Sequence, residues 1–118
     1  MTHLDPWSMP GWLVYRYFPG ARRRDYQDFL PAEIFADRMQ DAGFVNTAVR
    51  RTHHTEKLCL GKFLDYASQR HRTSQLMVIS DQSYEEGLGT LREDIRRFGD
   101  TRLLDSETCL ITITGDKP

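Results

Sequence analysis

Cysteine is scarce in this chain, and that scarcity excludes a disulfide-built scaffold. Cys59 and Cys109 are the only two, they lie far apart, and each falls inside a regular apolar pattern, so both are expected to be reduced, inert thiols. Long apolar runs are missing as well. Nothing approaches the ~20 residues that span a bilayer, and Met1–Pro10 has neither the basic nor the apolar region of a secretory leader, so a cytoplasmic chain without a membrane partner is expected. An excess of one charge is also missing: 16 Lys and Arg stand against 17 Asp and Glu, a formal net charge of -1. No basic field therefore points to nucleic acid, and no acidic run points to a basic partner.

Familiar catalytic and cofactor patterns are equally sparse. A dinucleotide or methyl-donor site needs glycines just after a strand, where backbone can approach the ligand. Here the closely spaced pair, Gly87 and Gly89, sits inside a helical pattern, where each glycine costs ~1 kcal/mol relative to alanine unless it permits close packing. There is no phosphate-cradling Gly-Lys-Ser/Thr loop and no Gly-x-Ser-x-Gly turn. His53 and His54 are adjacent in a strand pattern, so their side chains point to opposite faces and do not share a metal. The run Arg22-Arg23-Arg24 is followed at once by Asp25 and Asp28, which reads as a solvated loop rather than a phosphate site.

What is present alternates between helix and strand within one domain, residues 1–118, with 39% hydrophobic residues to build a modest core. Aromatic residues crowd the start, Trp7, Trp12, Tyr15, Tyr17 and Phe18, a cluster that suits a core or a ligand pocket. Ile34, Phe35, Met39 and Ala42 mark a helix over 31–43, opened at Pro31 and closed by Gly43, with Phe44 folding back on its last turn. Val45, Thr47, Ala48 and Val49 favour a strand over 44–54, ended by the polar His53-His54-Thr55. Leu60, Phe63, Leu64 and Ala67 suggest a helix over 56–72. The cleanest helical stripe is Tyr84, Leu88, Leu91, Ile95 and Phe98, which predicts the longest helix over 81–98. Cys109, Ile111 and Ile113 share one face of a strand over 107–115, with Leu110 between threonines on the other.

The segment Trp12 to Pro19, ending in Tyr17-Phe18-Pro19, the helix ending in Ala42-Gly43-Phe44, the element His71-Arg72-Thr73-Ser74 and the late strand Thr108 to Thr114 follow one another in an order that resembles the region after the fifth strand of class I S-adenosylmethionine-dependent methyltransferases of type 11. The resemblance covers nearly the whole chain, although each motif is short. It implies an α+β arrangement of two late antiparallel strands packed with about four helices, the C-terminal portion of a Rossmann-like fold, and it is this resemblance, not the aromatic residues themselves, that implies a helix over 8–18. The five earlier strands, with the glycine-rich turn and the acidic residue that hold the donor, have no counterpart among these residues. No cofactor is therefore expected on this chain alone, and no catalytic residue carries over.

By the same resemblance, the strand Thr108 to Thr114 lies antiparallel between the fifth and sixth strands and loses its neighbour on one edge. Completion of the sheet by a homodimer or by a partner chain is the expected consequence. Ligands of open α/β sheets sit beyond the carboxyl ends of the strands. That rule selects Trp12, Tyr15, Arg16, Phe18, His53 and His54 as candidate contacts for a small apolar ligand. The implied function is the acceptor side of a small-molecule methyltransferase, inactive without its donor half. The alternatives are a repurposed dimeric binding or rearranging protein and a regulatory module that docks on a complete enzyme.

Overall fold

The computed structural model describes residues 1–118 and contains three strands and six α-helices. A short strand β1 (Thr2–Leu4) leads through a 3-10 turn, Pro6–Ser8, into helix α1 (Leu13–Tyr17). The aromatic N-terminus is thus not one helix over 8–18. Pro10 and Gly11 interrupt it, and Gly11 lies so close to Glu107 that a Cβ would fall 2.2 Å from the Glu107 carboxylate. Helix α2 (Pro19–Asp28) then takes the place of the loop expected around the arginine run. Pro19 supplies the fixed first turn, and Arg24 pairs with Asp28 one turn on, at 3.0 Å.

Helix α3 (Ala32–Asp41) closes as a Schellman motif: Gly43 adopts φ 98°, its N–H donates to the Gln40 carbonyl, and the Phe44 N–H donates to the Met39 carbonyl. Strand β2 (Val45–Cys59) continues five residues past the end expected at His54, and the following helix α4 (Leu60–Ser68) is correspondingly shorter than 56–72. Cross-strand pairing decides this. Thr55 through Cys59 sit opposite Glu107 through Leu103, so ladder hydrogen bonds hold in extended form a segment whose side chains alone favour a helix. A 3-10 turn, Arg70–Arg72, and the short helix α5 (Ser74–Met77) precede α6 (Asp81–Phe98), whose Ser80 hydroxyl caps the Ser83 N–H at 3.1 Å. Strand β3 (Leu103–Asp116) ends the fold and is longer than the expected 107–115.

The sheet order is β1-β3-β2, with β3 antiparallel to both neighbours. The edge of β3 expected to be bare is instead occupied by β1, which pairs Thr2, His3 and Leu4 with Thr112, Ile111 and Leu110. Three residues carry too little pattern to announce a strand by themselves. The core has two parts. Leu13, Val14, Phe18, Leu60, Phe63, Leu88 and Leu91 pack around α1, α4 and α6, and a smaller cluster joins Ala32 and Ala36 of α3 to Ile111 and Ile113.

Along β3 the buried positions are Cys109, Ile111 and Ile113 towards one end and Ser106, beside the half-buried Leu104, towards the other. The parity changes between them, so helices cover opposite faces of the β2–β3 ribbon at its two ends. The radius of gyration, 17.0 Å, exceeds the ~13.5 Å of a compact chain of this size, and the molecule measures 58 × 27 × 19 Å. The ribbon gives it this length.

Candidate functional site

A recess of about 260 Å³ opens where α1 and α4 meet the end of the sheet. Its floor is Val14, Phe63 and Ser106, all buried, and its walls are Trp12, Leu58 and Tyr66, partly buried. Glu56 and Lys62 stand exposed at its mouth, and none of the chain's ion pairs involves either.

Local folding fixes each wall. Trp12 is extended just before α1, and the next residue donates its N–H to the Ser106 hydroxyl at 3.2 Å, which ties the start of α1 to β3. The Trp12 ring meets Tyr15 edge-on, with centroids 4.9 Å apart and planes at 80°. Phe63 and Tyr66 are one helical turn apart on α4, and the Tyr66 hydroxyl is held by Thr73. Chemically the recess is amphipathic: Trp12, Phe63 and Tyr66 offer apolar and aromatic surface, and Glu56 and Lys62 place charge at its mouth. Its polar groups are the Ser106 hydroxyl, which accepts the Leu13 N–H, the Tyr66 hydroxyl, and the charged Glu56 and Lys62; no histidine or cysteine lines it.

Of the six residues selected from sequence, only Trp12 lines this recess. Tyr15 turns inward, and its hydroxyl donates to Asp25 at 2.5 Å; burial first, then the bonded Asp25 carboxylate, pushes the phenol well above its ordinary range. Phe18 is buried against Tyr84, with ring centroids 5.8 Å apart. Arg16 is exposed and borders a separate niche with Asp94 and Arg102. His53 and His54 lie in the middle of β2, opposite Cys109 and Thr108, and do not end a strand.

His53 does approach Cys109, with Nε2 3.9 Å from the sulfur. Burial pushes the Cys109 thiol up, the Asp5 charge pushes it further, and Arg51 only partly opposes them, so the surroundings disfavour the thiolate. Both cysteines are free thiols. No group of three or more His, Cys, Asp or Glu side chains is placed to hold a metal ion, and no helix is long and apolar enough to cross a membrane.

Sequence reasoning missed Glu56, Leu58, Lys62 and Ser106 for one reason. The sequence pattern ends the strand at His54, but β2 ends at Cys59. The recess lies past Leu4, where β1 ends, and over Glu56 and Leu58, the last side chains on one face of β2. The one glycine directly after a strand end, Gly61, is packed against Asp100, where an added Cβ would lie 3.1–3.2 Å from the Asp100 Cβ and carbonyl oxygen.

No protein-family model, curated protein or solved structure matches the chain.

Proposed function

We propose that this chain is the acceptor-side part of an S-adenosylmethionine-dependent methyltransferase, which holds a small amphipathic methyl acceptor while a donor-binding half supplies the cofactor. The observation that carries the reading is the sheet order β1-β3-β2, in which β1 and β2 run the same way and β3 runs antiparallel between them. This is the order that the family resemblance implies around its seventh strand, with β1 in the place of the fifth strand, for which the sequence offers no counterpart. The recess, which lies past the carboxyl end of β1 and over the last residues of β2, supports the same reading, because an acceptor there would face a donor held by further parallel strands beside β1.

In this role the chain binds and orients rather than reacts. Trp12, Phe63 and Tyr66 desolvate the acceptor body, and Glu56 and Lys62 fix its polar end. The proposed setting is the cytoplasm. Calorimetric titration of S-adenosylmethionine into the purified chain is expected to give no binding, and labelled methyl transfer is expected only after addition of a donor half of the same class. Stoichiometric donor binding by this chain alone would overturn the proposal.

A second reading, a free-standing binding protein for a small molecule, rests on the recess being lined entirely from this one chain. It differs in its outcome: ligands then quench Trp12 with equal affinity whether or not a donor half is present.

A further inference from the structure

Strand β2 is an outer strand of the sheet over its full length, and from Arg50 to Lys57 every residue is exposed. A long, regular edge with unpaired backbone donors and acceptors is a template for another strand. We propose that its occupant is a second copy of this chain, paired antiparallel, β2 against β2, about a two-fold axis at His53.

Two observations select this partner and this register. The first is charge. With His53 on the axis, Arg50 of each copy stands directly opposite Glu56 of the other, and both belong to the same face of the strand. Neither side chain makes an ion pair within its own chain, whereas the neighbouring Arg51 is taken up by Asp5 and Glu33. Moving the axis to His54 sets Arg51 against Lys57, a like-charge pair, and moving it to Thr52 sets Arg50 against His54. Only the His53 register joins opposite charges.

The second is coverage. Helix α3 covers one face of the ribbon near Val49, and α1 and α4 cover the other face near Leu58. The bare halves carry apolar side chains: Leu110 is 45% exposed and Leu103 is 57% exposed. A two-fold axis normal to the sheet at His53 sets the covered half of each copy beside the bare half of its mate, on both faces. The pairing also places Arg50 of the second copy beside Glu56 at the mouth of the recess, so the neighbour contributes a charge to that site. Because β1 lies at the other end of the sheet order, strands of a donor half and the second copy occupy opposite edges, and neither association requires the other.

Sedimentation equilibrium tests this with a charge swap. The wild-type chain is expected to dimerise, Arg50→Glu and Glu56→Arg each to weaken the dimer by about tenfold or more, and the double variant R50E/E56R to regain wild-type association. Circular dichroism melts confirm that each single variant folds, as expected for exposed residues without partners in their own chain. A wild-type chain that stays monomeric at every concentration overturns the proposal. So does a dimer indifferent to either single change, or one that the double swap does not restore. S-adenosylmethionine titration is unaffected by any of these results, so the two proposals fail separately.

Discussion

Asp5 and Asp25 are both buried carboxylates, yet their surroundings push them in opposite directions. Burial raises Asp5, but hydrogen bonds from Ser8 at 2.5 Å and Arg51 at 2.9 Å, together with the Arg51 charge, outweigh it and hold the group below the usual carboxylate range. Asp25 has no cation. Burial and the nearby Asp28 charge raise it, and bonds from Tyr15 and Gln75 offset this only in part. The consequences for stability differ in sign. Asp5 contributes stability that is present above the ordinary carboxylate pKa and is lost as pH falls through its lowered folded value. For Asp25 the folded state holds the proton more tightly, so its contribution is full below the unfolded pKa and is lost as pH rises through the raised one. Asp25→Asn keeps an acceptor for the Tyr15 hydroxyl and removes the buried charge. Urea denaturation is therefore expected to show a gain of about 1 kcal/mol at neutral pH, shrinking towards zero below about pH 4.

Helix α6 carries two glycines whose roles the periodicity alone does not separate. At Gly87 a Cβ would lie 2.3 Å from the Phe18 ring and 2.7 Å from the Tyr17 carbonyl, so the absence of a side chain lets α6 approach the α1–α2 corner. At Gly89 nothing lies within 4 Å. Gly87→Ala is expected to cost about 1–3 kcal/mol by overpacking, and Gly89→Ala to gain up to about 1 kcal/mol from helix propensity. Thermal melts of the two variants should move in opposite directions, and a shared direction would contradict the packing of α6 on Phe18. Tyr17 reinforces the same junction. Its hydroxyl donates to Asp94 at 2.7 Å, and burial, followed by that carboxylate, pushes the phenol up to about 12.

The whole molecule is a ribbon with helices at both ends and on opposite faces, rather than a sheet covered on one side. Such a shape leaves the central strand protected and the edge strand dependent on what pairs with it. Hydrogen exchange is expected to show slow β3 amides at Leu110 to Thr112, where both edges are occupied, at any protein concentration. Outward-facing amides of β2 between Arg50 and Lys57 should exchange quickly in dilute solution and slow as concentration rises. Concentration-independent exchange there would show that the edge stays open.

The local pattern alone determined the elements whose stabilising contacts are near in sequence. The stripe from Tyr84 to Phe98 and the Ala42-Gly43-Phe44 cap are set by spacings of three to five residues, and α6 and the end of α3 lie where those spacings place them. The alternation of Cys109, Ile111 and Ile113 likewise marked a strand with a buried face. Tertiary structure decided the rest through partners distant in the chain. Leu103 to Glu107 drew Thr55 to Cys59 out of a helical pattern, the free edge of β3 made a strand of Thr2 to Leu4, and Gly11 against Glu107 broke the aromatic helix. Those contacts also moved the candidate site from His53 and His54 to Glu56, Lys62 and Ser106. A ligand recess forms where strands end, and the end of β2 was fixed by its ladder with β3, not by its own side chains.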